Sequence, residues 1–297
     1  MTKTAFIAIV GCPNVGKSST LNRLLGKKVA IVSEKPQTTR TKITGILTKD
    51  ETQLVFIDTP GFHRPRNKLG EKMVKSVSDS IDGVDACLFV VGTETGIKEK
   101  EKELIRRFEK EKMPVILAIN KVDKLADKQK LMIRIAEMSA CYDFEAVVPI
   151  SALKGDNFEG LMDELEKLAR PSVHFFPSDE LTDQPERVIA AEIVREKLLR
   201  TLDKEIPHGT AVSVEKMSER GDKSGITDID VMVYCEKKSH KGIIIGKRGD
   251  TLKQVLTEAR EDMERFFCCH INLKCWVKVK EDWRNKESLI RNFGLDM

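Results

Sequence analysis

Eight residues, Gly11-Cys12-Pro13-Asn14-Val15-Gly16-Lys17-Ser18, restrict what this chain can fold into more than any other stretch. They follow the apolar run Phe6-Ile7-Ala8-Ile9-Val10 and open into Ser19 to Leu25, which has helical spacing. A strand, a glycine loop and a helix in that order bend the backbone so that successive N–H groups and the positive helix end converge on a polyphosphate. Gly11, Asn14, Val15, Gly16 and Ser19 then line the anion, Lys17 reaches its outer phosphates, and the Ser18 hydroxyl helps hold Mg²⁺. A plain connecting turn would not require Lys17-Ser18 in register behind a buried strand.

Composition leaves room for such a site in an ordinary globular setting. The 297 residues suffice for two domains, each with its own core, and 40% hydrophobic with 33% charged residues is average usage. No stretch approaches the roughly twenty apolar residues of a spanning helix, and Met1-Thr2-Lys3 leads directly into the first strand, so the expectation is a cytosolic chain without a leader. Seven cysteines without a C-x-x-C pair fit a reducing compartment. Cys268-Cys269-His270 with Cys275 lacks a second ligand pair and reads as packing, not as a metal site. A net charge of +4 says little about partners until its clustering is considered.

Downstream of the loop, Val32 to Thr44 is polar and contains Pro36-Gln37-Thr38-Thr39-Arg40-Thr41. It reads either as a surface loop or as a segment whose threonine, Thr38 or Thr39, closes on Mg²⁺ and a terminal phosphate. Ile43 to Leu47 and Gln53 to Ile57 form paired strands, the second ending in Asp58-Thr59-Pro60-Gly61. A carboxylate there can hold Mg²⁺, and the Gly61 N–H can approach the same phosphate. Strand and helix then alternate: Ala86 to Val91, Lys98 to Lys112, Val115 to Ile119, Asp127 to Ala140, Ala146 to Ile150, and Asn157 to Ala169. Asn120-Lys121-Val122-Asp123 falls at one strand end; the Asp123 carboxylate suits the two donors of guanine and would meet an acceptor in adenine. Ser151-Ala152 falls at the next, where the Ala152 N–H suits the guanine O6.

These five motifs, over roughly residues 1 to 170, resemble the GTPase branch of the P-loop proteins, which implies an α/β domain with a mainly parallel sheet that hydrolyses GTP to GDP and phosphate. Many small GTPases carry a glutamine after the Asp-x-x-Gly motif to orient water; here that residue is Phe62. Pro-Asn-Val-Gly-Lys-Ser resembles a bacterial subgroup in which the asparagine helps hold K⁺, making Asn14 the candidate K⁺ residue.

Arg170 to Pro185 contains Pro171, Pro177 and Pro185 with little periodicity, so a linker is expected over 171–185 and a second domain over 186–297. Glu186 to Lys204 reads as an amphipathic helix, Ala211 to Met217 as a strand, Ser218 to Gly225 as a loop, and Thr227 to Cys235 alternates as a strand. Gly246-Lys247-Arg248-Gly249 then links a short apolar helix, which includes Ile243, to a long helix, Asp250 to Phe267, with Asp250 or Thr251 as the expected cap. Such glycines admit a sugar-phosphate backbone, and Lys247, Arg248 and the helix N-terminus meet it with positive charge. Ile271 to Lys280 is a third strand with Lys274, Trp276 and Lys278 on one face; Trp276 is expected under a neighbouring helix, with base stacking as the lesser reading. A short helix, Glu281 to Phe293, ends the chain.

This order resembles an α+β type II KH domain, an RNA-binding module, and the whole chain resembles the bacterial Era GTPases. The resemblance implies a cytoplasmic, monomeric GTPase that binds GTP and GDP and acts on 16S rRNA, near its 3′ end, in assembly of the 30S ribosomal subunit. It puts Mg²⁺ on Ser18, Thr39 and Asp58, guanine on Asn120, Lys121, Asp123, Ser151 and Ala152, and RNA on Gly246 to Gly249, Ile243, Lys274 and Lys278. Two rivals stand beside it. An RNA chaperone with a structural nucleotide site would tolerate Lys17→Ala. A peripheral regulator would use Lys274 to Lys280 for weak binding to anionic lipid at the inner face of the membrane.

Overall fold

The structure is a computed structural model that describes residues 1–35, 37–61, 65, 67–221 and 225–295. Pro36, Phe62 and residues 222–224 of the expected loop lie outside the described residues. The chain divides into two compact units: Met1–Ala30, Thr39–Pro65 and Gly70–Asp183 form the first, and Ile31–Thr38, Arg66–Leu69 and Gln184–Met297 form the second.

The first unit contains β1 (Lys3–Val10), α1 (Lys17–Leu25), β2 (Ile43–Lys49), β3 (Thr52–Asp58), most of α2 (Lys68–Ile81), β4 (Ala86–Val91), α3 (Glu99–Glu111), β5 (Val115–Asn120), α4 (Lys128–Ser139), β6 (Ala146–Ile150), α5 (Phe158–Glu166) and β7 (Arg170–Pro171). The sheet order is β2-β3-β1-β4-β5-β6, with β2 antiparallel to β3, the inner strands parallel, and β7 antiparallel to β1. All six residues of β4 and of β5 are buried, because a parallel strand covered on both faces has no reason to alternate. Strand order reverses at β1, which puts the glycine loop at the crevice where doubly wound sheets bind ligands.

Two parts of this unit were not anticipated. Helix α2 lies where no element was assigned, although buried Leu69, Met73, Val77 and Ile81 recur at the four-residue spacing of a helix stripe. The expected linker is largely a strap on the sheet instead. Ser172 N–H donates to the Thr2 carbonyl at 3.0 Å, the Gln53 side chain accepts from Phe175 N–H and donates to the Phe176 carbonyl, and Ile46 N–H donates to the Leu181 carbonyl. Prolines in an aperiodic stretch suit an extended strap as well as a spacer, and buried Gln53 decides between them.

The second unit contains α6 (Glu186–Thr201), β8 (Ala211–Glu219), β9 (Ile226–Cys235), α7 (Lys238–Ile245), α8 (Asp250–Phe267), β10 (His270–Val279) and α9 (Glu287–Asn292). Its sheet runs β10-β9-β8, with β9 parallel to β10 and antiparallel to β8. Ile229, Val231, Val233 and Cys235 of the central strand point into a core shared with α6 and α8. Helix α8 begins behind Gly249 at φ 87°, so the glycine, not Asp250 or Thr251, is its cap. Trp276 is also corrected: it is 49% exposed, whereas Trp283 is fully buried and its indole N–H donates to the Gly209 carbonyl at 2.9 Å. On the sheet face that carries Trp276, the Tyr234 ring stacks on Phe293 at the end of α9, and the short turn before α9 supplies the buried tryptophan instead.

Helix α6 departs from simple amphipathicity, because Arg195, Glu196 and Lys197 are all buried. Their partners include Asp262 of α8 and the backbone of the Ile31–Thr38 segment in the same unit.

One buried ion pair braces the first unit near its site. Arg134 donates to Glu101 at 2.7 Å and to the carbonyls of Gly92 and Gly96, while Glu101 accepts from Lys98 N–H. Both side chains are completely buried. Glu101→Ala strands the arginine, so we expect a loss of about 3–5 kcal/mol in the first unit's urea transition, and a far smaller loss for Glu101→Leu with Arg134→Met. Equal losses in both variants would refute this account.

Candidate functional site

The glycine loop leaves β1 and wraps toward α1. Gly16 sits at φ 102°, and a Cβ there would fall 2.2 Å from Asn120 Nδ2, so both conformation and space require glycine. Asn14 also has positive φ, 62°; its carbonyl accepts from the Lys121 ammonium. Lys17 is buried at the first position of α1, and its ammonium donates to the carbonyls of Gly11 and Cys12 at 3.2 and 3.1 Å. Burial lowers the Lys17 pKa, and Asp58 opposes that shift. The charge is thus held inside the ring of N–H groups that would face an anion.

Three oxygen-bearing side chains meet beside it. Ser18 Oγ lies 2.6 Å from Asp58 Oδ2 and 2.9 Å from Thr39 Oγ1, and Thr39 Oγ1 lies 3.4 Å from Asp58 Oδ2. Thr38 turns the other way, its hydroxyl donating to the Lys35 carbonyl at 2.6 Å. Asp58 is fully buried, and its Oδ1 has no hydrogen-bond partner among the described residues. Burial raises its carboxyl to about 6, against the opposing pull of Lys17 and of the bonds from Ser18, Thr39 and the Thr59 backbone. An orphaned buried carboxylate oxygen next to two hydroxyls is a hard-cation donor set, and it fits Mg²⁺. Gly61, after β3, lies against Pro13 of the loop.

The base-side motifs also converge. Asn120 links three segments: its Nδ2 donates to the Val15 carbonyl at 2.9 Å, and its Oδ1 accepts from the N–H groups of Lys121 and Ala152. Ser151 Oγ donates to Asp123 Oδ1 at 2.6 Å, and the Ala152 N–H aims into the same corner. Ser19 lies in the first turn of α1. A contributor not anticipated from the sequence is Arg23 of α1, which donates to the carbonyls of Ala152 and Leu153 at 3.3 and 2.9 Å. An arginine on a helix surface carries no local mark of such a role.

In the second unit, Gly246, Arg248 and Gly249 have φ of 78°, 56° and 87° between α7 and α8. A Cβ on Gly246 would fall 2.2 Å from Thr251 Oγ1, so this turn is closed to other residues. Lys247, Arg248 and Ile243 are exposed, as are Lys274 and Lys278 of β10. Beside the turn lies a groove of about 400 Å³ lined by Gly249, Leu252, Leu256 and Leu273 with Lys253 and Arg260. A positive, glycine-lined edge next to an apolar groove suits a phosphodiester backbone with its bases turned inward.

Comparison with known proteins follows the same division. The chain matches the family described as 50S ribosome-binding GTPase over residues 6–121 and the KH domain family over residues 205–284. It is similar to the GTPase Era of Clostridioides difficile strain 630, 48% identical over 298 residues and 99% of each chain. It is also similar to the GTPase Era of Ruminiclostridium cellulolyticum, 47% identical over 98% of this chain and 97% of that relative. Among solved structures, it resembles Era crystallised with MgGDPNP and nucleotides 1506–1542 of 16S ribosomal RNA, with a TM-score of 0.95 and 36% identity over 100% of both chains. A single-residue variant of Aquifex aeolicus Era bound to GDP and AlF₄⁻ matches with the same TM-score, identity and coverage.

The raised Asp58 pKa carries a sign. Its native carboxyl holds a proton more tightly than the ordinary value of 3.8 allows, so metal-free stability falls as pH rises from 3.8 to about 6 and stays lowered above. We expect Asp58→Asn to stabilise the metal-free chain at pH 7.5 by about 2–3 kcal/mol, with the gain shrinking toward pH 4. It should also abolish the extra stabilisation that Mg²⁺ adds to nucleotide. A lower melting temperature for the variant in metal-free buffer at pH 7.5 would contradict this.

Proposed function

The chain belongs to the Era family of GTPases and hydrolyses GTP to GDP and phosphate, and from that premise we propose that it is a nucleotide-gated RNA-binding factor in assembly of the 30S ribosomal subunit. The observation that carries the reading is the pairing, on one chain, of an assembled nucleotide site with an exposed Lys247-Arg248 pair between two glycines at a helix start. We carry over from the Era complex its 16S rRNA fragment as the RNA class this chain binds, and we propose a site near the 3′ end of that RNA. We propose further that it works in the cytoplasm as a monomer. Among the described residues no helix is long and apolar enough to cross a membrane.

In this reading Lys17 transfers its hydrogen bonds from the loop carbonyls to the β- and γ-phosphates, while the loop N–H groups take the bridging oxygens. Ser18, Thr39 and Asp58 would hold Mg²⁺, which when bound offsets the charge on the phosphate oxygens. Asp123 and Asn120 take the guanine edge, and the Ala152 N–H is shared between Asn120 and O6. A water then attacks the γ-phosphorus in line, with GDP leaving. We propose that Asn14 would help hold a K⁺ ion, which when bound would offset negative charge on the phosphates where other families use an arginine. Asn14→Asp, or NaCl in place of KCl, is expected to slow turnover. Unchanged rates in both would refute the K⁺ role.

The γ-phosphate favours the conformation in which Thr39 is drawn in, so RNA affinity should differ between GDP and a non-hydrolysable GTP analogue. We expect Lys247→Ala and Arg248→Ala each to weaken binding of a 16S 3′-end oligonucleotide and to reduce the slope of log affinity against log salt by about one. Equal affinity with both nucleotides would remove the gate, and binding to anionic vesicles not displaced by the RNA would favour a membrane-surface role instead.

A further inference from the structure

The loop that delivers Thr39 is held, just before that residue, by buried charges of the second unit. Within that unit Glu196, fully buried on α6, accepts from Val32 N–H at 2.8 Å and from Arg200 at 3.0 Å. Arg200 in turn donates to the Val32 carbonyl at 3.0 Å. The preceding residue on α6, Arg195, 2% exposed, is oriented by two bonds to the Glu192 carboxylate and donates to the Thr38 carbonyl. Lys35 donates to the Leu202 carbonyl just past the helix end. Both ends of the 32–38 segment are therefore attached to one helix.

Buried charges are costly unless each is paired, and an apolar surface would pack α6 more cheaply. Here the pairing includes the loop's own backbone groups, so the charges specify a loop position. The residue after the held carbonyl is Thr39, whose hydroxyl stands 2.9 Å from Ser18 in the first unit. Consecutive Cα atoms stay about 3.8 Å apart across one planar peptide, so the held Thr38 carbonyl limits where the Thr39 hydroxyl can be placed. Nothing in the nucleotide motifs supplies this second anchor.

We propose that Arg195 and Glu196 are positioning residues for Thr39, so that the rate of GTP hydrolysis is set in part by the first helix of the second unit. The inference rests on the reading of Thr39 as the threonine that closes on Mg²⁺ and the γ-phosphate. GDP does not require that closure, which separates positioning from a general effect on folding. Coupling is reciprocal: ligands that draw Thr39 in also tighten the hold of α6 on Val32 and Thr38.

The test uses the full chain with Mg²⁺ and compares Arg195→Met, Glu196→Ala, Glu196→Gln, Thr39→Ala and the Arg195→Met/Thr39→Ala pair. Arg195→Met and Glu196→Ala are expected to lower kcat by about tenfold to a hundredfold, the cost of a roughly 1 Å misplacement, with GDP affinity unchanged. Glu196→Gln keeps an acceptor for Val32 N–H and should recover most of the rate. In the pair, Arg195→Met should add almost nothing to Thr39→Ala, because both remove one function. Amide exchange at Val32 should slow when the GTP analogue replaces GDP, and Glu196→Ala should erase that difference. If Thr39→Ala alone leaves kcat intact, the reading of Thr39 fails. If Thr39→Ala slows turnover but folded α6 variants do not, or if their effects multiply with it, the positioning role is overturned. Should the buried substitutions prevent folding, Arg200→Ala at the exposed side of the same contact must still lower kcat without changing GDP affinity; no change there overturns the proposal equally.

Discussion

Asp58 is a carboxylate at the end of a buried strand, fully out of solvent, with one oxygen held by two hydroxyls and the other facing no partner among the described residues. A charge so placed is tolerated only where compensating charge is near, and Lys17 provides part of it across the same crevice. Its position follows from strand register: Asp58 pairs with Ile9 in the parallel ladder, and the Thr59 hydroxyl bonds the Ile9 carbonyl at 2.9 Å. A slip of one residue would turn the carboxylate to the opposite face of the sheet. The ladder between β1 and β3 is thus what brings the glycine loop and the carboxylate to one point.

Most of that assembly was legible because each part is local. The glycine loop, Asp58-Thr59-Pro60-Gly61, Asn120 to Asp123 and Ser151-Ala152 each carry their own spacing, and each falls at a strand end. What was not legible depends on distant partners. Arg195, Glu196 and Lys197 carry no local mark of burial, and the groups that bond the first two are about 160 positions earlier. The strap after β7 looked like a linker because its decisive partner, Gln53, is a lone polar residue in a strand. Exposure of Trp276 and burial of Trp283 could not be separated by residue type, since the difference lies in distant partners: Trp283 meets the Gly209 carbonyl and the Phe293 ring.

The segment from Val32 to Thr44 looks like one loop in sequence. The fold divides it: residues to Thr38 group with the second unit, and Thr39 onward groups with the first. A peptide bond therefore joins a segment whose position is set by α6 to one whose position is set by the phosphate crevice. The bonds on the two sides of that peptide are made within separate units. A second short segment after the Asp-x-x-Gly motif repeats the theme: Lys68, in the second unit, bonds Asn285 and pairs with Glu287. That pair is exposed and contributes little alone, in contrast to the buried bonds of α6.

The two tryptophans of the chain both belong to the second unit, one half in solvent and one sealed against the Gly209 carbonyl. Intrinsic emission above the tyrosine band is consequently a report from that unit alone, with a quenchable component from Trp276 and a shielded one from Trp283. Chemistry confined to the phosphate crevice is optically silent in the unlabelled protein. Any change in emission when one guanine nucleotide replaces another is then a direct optical record that the event has reached the second unit.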